Sequence, residues 1–306
     1  MRVIMKYFIC KNYFFIVILT IFAISVCGCD DKVFINLGNA RLSSGKLDMA
    51  KVYFENALKN NENRDEAYYG LGRVALAKTE YIDAVINFTK ALEINPNMAV
   101  AYFGRSIAWK MMGNLENALT DVNKGITLNS NNASAYSLLG DIYLGKKEYN
   151  LALTNYNKAL AINQTDALLY RSRAIYWYTD GNFGNAISDL EQALKLKPSY
   201  FITLNDFAWI LATCSNKSYR NGSRAVALAE KAVKSFRSAE ILDTLAAAYA
   251  EAGRFDDAVK IQEESIDIQK KTESNFFLSD SLERLKSYQN RIAWTDYSRK
   301  SFILDY

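Results

Sequence analysis

The chain contains no histidine in 306 residues, two prolines and four cysteines. Without histidine there is no Ser-His-Asp or Cys-His activation of a nucleophile, no usual general base near neutral pH and no ordinary zinc site. A phosphate-cradling Gly-Lys-Ser/Thr loop is absent, and so is a Gly-x-Gly-x-x-Gly dinucleotide turn. The carboxylate pairs Asp256-Asp257 and Glu263-Glu264 fall at exposed helical positions and read as a solvated face. Cys214 has only Lys217 and Arg220 as nearby cations in sequence, which disfavours a reactive thiol. The expectation is a protein that is not an enzyme, with no catalytic residue, no metal and no cofactor.

Scarce proline leaves helices uninterrupted, and 50% apolar content in a chain of this length supports a sizeable helical core. Of the 37 basic residues, Arg2, Lys6 and Lys11 lie in an N-terminal stretch with no acidic residue, leaving 34 against 33 acidic. A near-neutral remainder gives no reason to expect nucleic acid as a partner. The uncharged apolar run Tyr13–Val26 is 14 residues long, short for a membrane-spanning helix, which needs ~20. A positive start followed by such a run reads as an export signal. Val26-Cys27-Gly28-Cys29-Asp30 resembles a bacterial lipobox, which implies lipidation at Cys29 and anchoring of the mature chain to a membrane. A plain uncleaved anchor is the alternative. With Cys29 lipidated, Cys214 has no cysteine to pair with, so no intrachain disulfide is expected.

What fills the chain is a period. Asp65 to Met98 reads as two short helices with a turn at Lys78–Glu80. Tyr68, Leu71, Gly72 and Ala75 share one face of the first, and Ala84, Phe88 and Ala91 one face of the second. The unit recurs every 34 residues. Its small residues are Ala50, Ala84, Ala118, Ala152 and Ala186, then Ala57, Ala91, Gly125, Ala159 and Ala193; its aromatics are Phe34, Tyr68, Tyr102, Tyr136 and Tyr170. Phe54, Phe88, Val122, Tyr156 and Leu190 stand between the small residues. Small side chains let two helices cross closely while the larger ones fill the grooves beside them. A lone pair has too little core, so its apolar face needs the next pair to cover it.

This pattern resembles the tetratricopeptide repeat family. The resemblance implies an all-α, right-handed α-solenoid of about seven helix-turn-helix repeats with a C-terminal capping helix. The expected organisation is a lipoprotein signal peptide at 1–28, five regular repeats at 29–200, two variant repeats at 201–272, and a capping helix and tail at 273–306. Arg105-Ser106 and Arg173-Ala174 replace the Leu-Gly pair, so those repeats are expected to pack wider. Arg220-Asn221-Gly222 resembles the lengthened turn of a variant repeat, and Gln262 and Ser265 read as the polar face of an end cap. The tail from Asn290 reads as a frayed end whose aromatics lie on the solenoid, with docking in a groove as the alternative.

The family's inner groove, lined by first helices, maps here onto Tyr69, Arg73, Phe103, Ile107, Lys110, Asp141, Arg171, Tyr178, Asn205 and Trp209. Aromatic platforms with scattered charge suit an extended peptide with hydrophobic anchors. The carboxylate-clamp variant of the family is not expected, because Ile35-Asn39, Gly70 and Val100-Gly104 do not supply its Lys and Asn pattern. The resemblance thus implies a non-catalytic scaffold in the bacterial cell envelope, at the inner or the outer membrane, that binds protein partners. Its alternative is a self-associating homo-oligomer with the groove filled internally.

Overall fold

The computed structural model describes residues 30–272 and 277–296, so the expectations for the signal peptide, for Cys29 and for 297–306 lie outside the described residues. All regular secondary structure in the described residues is helical, and the chain divides into two compact units at Ser130/Asn131. The first unit holds α1 (Asp31–Ser43), α2 (Leu47–Asn60), α3 (Asp65–Ala77), α4 (Tyr81–Ile94), α5 (Ala99–Met111) and α6 (Leu115–Leu128). The second holds α7 (Ala133–Gly145), α8 (Tyr149–Ile162), α9 (Ala167–Asp180), α10 (Phe183–Leu196) and α11 (Phe201–Thr213). It continues through a 3-10 turn (Lys217–Tyr219), α12 (Gly222–Ser235), α13 (Ala239–Glu251), α14 (Phe255–Lys271) and α15 (Leu278–Gln289). Within each unit helices pack as consecutive antiparallel pairs, each second helix also resting on the next first helix of that unit, so each unit is a run of tetratricopeptide α-solenoid. Among the described residues no helix is long and apolar enough to cross a membrane.

Local chemistry sets the helix ends. Asn114, Asn182 and Asn221 cap α6, α10 and α12 by accepting the backbone N–H three residues on. Between the helices of a pair, the turn requires positive φ: Gly45, Gly113, Gly181 and Gly253 supply it at 72°, 76°, 86° and 78°. At the equivalent positions of two pairs, Thr79 and Lys147 adopt φ of 60° and 62° without a glycine's freedom.

The recurring alanines are where the helices touch: Ala50, Ala84, Ala118, Ala152 and Ala186 are all fully buried. Phe88 of α4 is wedged between Gly72 and Gly104, and a Cβ on Gly104 would stand 2.5 Å from its ring. The two pairs lacking Leu-Gly are closed by ions instead. Arg105 donates to both carboxylate oxygens of Asp121 at 2.7 and 2.8 Å and to Thr89 at 2.9 Å, tying α5 to α6 and α4. Arg173 does the same to Asp189, at 2.8 Å twice, and to Asn157 at 2.8 Å. The expected loosening is therefore offset by a bidentate charge-assisted clamp.

Gln262 and Ser265 correct the reading of a solvated end cap, because both are fully buried. Helix α15 covers them. Gln262 donates to Asp243 at 2.6 Å, Ser265 to the carbonyl of Ala239 at 2.7 Å, and Arg284 of α15 pairs with Asp243 at 2.9 Å. A polar helix face here receives a polar partner helix rather than water.

Candidate peptide-binding faces

Residues 39, 73 and 107 stand one repeat apart on α1, α3 and α5, and Arg73 joins the first two by donating to Asn39 Oδ1 at 3.2 Å. Arg73 also lies 5.6 Å over the ring of Tyr69, whose other neighbour is Phe88 at 5.8 Å. Ile107 is 38% exposed, and Tyr69, Arg73 and Lys110 are half-buried. On this face of the first unit an apolar side chain, an aromatic ring and cationic heads stand together in reach of solvent. Phe103, assigned to the same groove from sequence, is elsewhere: it is buried, with its ring against Gly125 of α6. The glycine at a position that is alanine in the neighbouring pairs makes the space that draws the ring inward.

In the second unit Asp141 accepts from the Tyr156 hydroxyl at 2.8 Å. Arg171 is buried and donates to Asp206 at 2.6 Å. Tyr178, Asn205 and Trp209 are buried at 2%, 0% and 3% exposure, which removes them from an open groove. The covering includes residues 292–296 of the chain's own C-terminal segment, which are docked and not frayed. After α15 the chain reverses at Arg291 (φ 56°), and Ile292 N–H bonds to the carbonyl of Ser287 at 3.0 Å. Residues 292–296 then run back to α11. Asp296 N–H donates to the carbonyl of Thr213 at 2.8 Å, and its Oδ2 accepts from Tyr178 Oη at 2.8 Å and Trp209 Nε1 at 3.3 Å. Burial, then the nearby Asp296 carboxylate, hold the Tyr178 hydroxyl above the ordinary tyrosine range, so it stays protonated and donates. Arg220, at the head of the long turn, donates to Thr295 Oγ1 at 2.5 Å, to the Cys214 carbonyl at 2.6 Å and to Glu251 at 2.9 Å. Arg284 lies between two indoles, 5.7 Å from the ring centre of Trp209 and 5.8 Å from that of Trp294. Neither amide atom of Asn205, one helical turn before Trp209, has a hydrogen-bond partner among the described residues.

Sequence reasoning assigned Tyr178, Asn205 and Trp209 to an open groove and gave no role to Asp296, which bonds to Tyr178 and Trp209, or to Thr295 beside it. The usable signal was chemical: a groove tyrosine and tryptophan each carry a polar hydrogen that needs an acceptor when buried. No cluster that could hold a metal occurs among the described residues, and the Cys214 thiol is fully buried.

These helix pairs define a tetratricopeptide repeat protein, and residues 238–275 match the family model described as tetratricopeptide repeat. Residues 27–210, more than half of the chain, match the model described as ETO1 C-terminal domain, and the chain belongs to that family. No curated protein matches the chain. Among solved structures it is similar to the Cut9 and Hcn1 assembly of the APC/C, at 17% identity and a TM-score of 0.70, over 86% of this chain and 50% of that one. A tetratricopeptide repeat protein from Parabacteroides merdae matches at 18% identity and a TM-score of 0.60, over 85% of this chain and 99% of that one. TTC0263, a tetratricopeptide repeat protein of Thermus thermophilus, matches at 23% identity and a TM-score of 0.54, over 58% and 97%. At these identities the likeness concerns the fold.

Proposed function

We propose that the protein is a non-catalytic scaffold, lipid-anchored through Cys29 in a bacterial cell envelope, that holds a partner peptide or helix on the first unit's face. The observation that carries this reading is the register row Asn39, Arg73 and Ile107 beside the Arg73-stacked Tyr69, with Ile107 exposed, in a family of protein-binding folds. An exposed aliphatic anchor flanked by a stacked Tyr–Arg pair is the kind of patch on which a few residues carry most of the affinity. The membrane attachment rests on the lipobox-like sequence alone. The experiment is co-purification from detergent-solubilised membranes. Tyr69→Ala with Ile107→Ala should reduce partner recovery at least tenfold with helicity unchanged, and Cys29→Ser should release the chain to the soluble fraction. Undiminished recovery would refute the face, and retention of the Cys29→Ser chain in membranes would refute the anchor.

A further inference from the structure

The second unit holds a peptide in its own version of the open face. Trp209 lies four repeats of 34 residues after Arg73 in register, once the longer turn that follows it is set aside, and Asn205 stands likewise to Tyr69. Residues 292–296 therefore lie where a partner would lie in the first unit. They are held as bound peptides are held: one main-chain bond to Thr213, one carboxylate received by two buried donors, one hydroxyl received by Arg220 and one indole beside Arg284. We infer that the Tyr178–Trp209–Thr213–Arg220 surface is a peptide-recognition site whose resident occupant is the chain's own 292–296 segment. The ligand class it takes from outside is an extended acidic peptide, in which an aspartate follows a hydroxyl residue and an aromatic.

Three features argue for recognition beyond simple closure of the fold. The carboxylate specificity is built in, since the Tyr178 hydroxyl and the Trp209 N–H converge on one oxygen of Asp296, an acceptor that an apolar side chain at 296 would remove. The segment follows a reversal at Arg291 and lies beyond the end of α15, to which Ile292 and Arg284 tie it, while α15 is itself seated by the Arg284–Asp243 pair and the buried Tyr288. Asn205 is fully buried and neither amide atom has a hydrogen-bond partner among the described residues, and a side-chain amide in that state matches the N–H and C=O of a peptide main chain passing along α11. Residues 292–296 leave those groups unused, so a different peptide has bonds available that these five residues do not make.

The inference rests on the scaffold reading only for there being an outside partner; the site stands on its own residues and is tested on them. The probe is a fluorescein-labelled peptide of residues 290–296, Asn-Arg-Ile-Ala-Trp-Thr-Asp, with a blocked C-terminus, titrated by anisotropy. In the intact chain it competes with a tethered copy at an effective concentration of the order of millimolar. The full-length Asp296→Ala chain should bind it at least tenfold more tightly than the wild-type chain. Tyr178→Phe added to that variant should lower binding again, as should Asn in place of the peptide's Asp. Equal binding to both chains, or indifference to the Asp-to-Asn change, overturns the inference. Should Asp296→Ala fail to fold, hydrogen exchange on the wild-type chain decides: excess peptide should speed exchange at 292–296, and unchanged exchange overturns the site. A loss of partner recovery on Tyr69 and Ile107 substitution bears on the first unit's face alone, so the two failures are distinguishable.

Discussion

Thr79 and Lys147 show how one residue can depart from a rule that its neighbours keep. The turn within each pair needs a left-handed residue; four are glycine, and these two hold φ near 60° with a side chain in place. A β-branched residue there is strained by roughly 1 kcal/mol. Thr79→Gly should therefore raise stability by about 1 kcal/mol, part of it offset by the freer unfolded chain. Comparison of urea midpoints at equal slope checks this; a lower midpoint would mean that the Thr79 hydroxyl, which donates to the carbonyl of Lys78, matters more than the strain. The glycine spacing made the turn legible in the sequence, because the requirement is local. Phe103 was not legible: its position in the repeat marks it for the groove, and only the glycine at 125, on another helix, turns the ring inward.

At the level of the element, the chain alternates two ways of closing a helix pair. Where the first helix carries Leu71 or Leu139, the facing residue of the second is Asn87 or Asn155, each bonded back to the carbonyl four residues earlier at 2.8 Å. Where it carries Arg105 or Arg173, the facing residue is Asp121 or Asp189. The residue types change together because a buried carboxylate without its guanidinium is costly, while an asparagine satisfies itself on its own helix. Arg105→Leu alone should cost about 2 kcal/mol, discounted for the pair's partial exposure. Adding Asp121→Asn should restore stability to within about 0.5 kcal/mol of the wild type, as in the Leu-type pairs. A double variant no more stable than the single would show that the clamp to Thr89 matters more than the pair itself. Departures from Leu-Gly were visible in the sequence, but their compensation lay on a different helix 16 residues away. The same limit applied to Gln262, whose amide is answered by Ser281 of α15 and Asp243 of α13, and to Ser265, answered by the Ala239 carbonyl of α13.

Across the whole molecule, periodicity read the helical class and its pairing, since a repeat that occurs five times in register constrains every helix face at once. It could not read which faces stay open, because that depends on a segment outside the period. Residues 292–296 belong to no repeat, yet they bury Tyr178 and Trp209. Each unit thus presents its first-helix face differently. On the first unit Tyr69, Arg73 and Ile107 reach solvent, and the second holds a stretch of its own chain. The most direct measurement is site-specific photo-crosslinking of the full-length protein in its native membranes. The photoreactive residue is placed at Ile107, and in a second variant at Ile82, which is 66% exposed on α4. The account predicts that one protein partner is captured from position 107 and not from position 82. Capture of the same proteins from both positions, or of nothing but a second copy of the chain, would contradict a partner-binding face on the first unit.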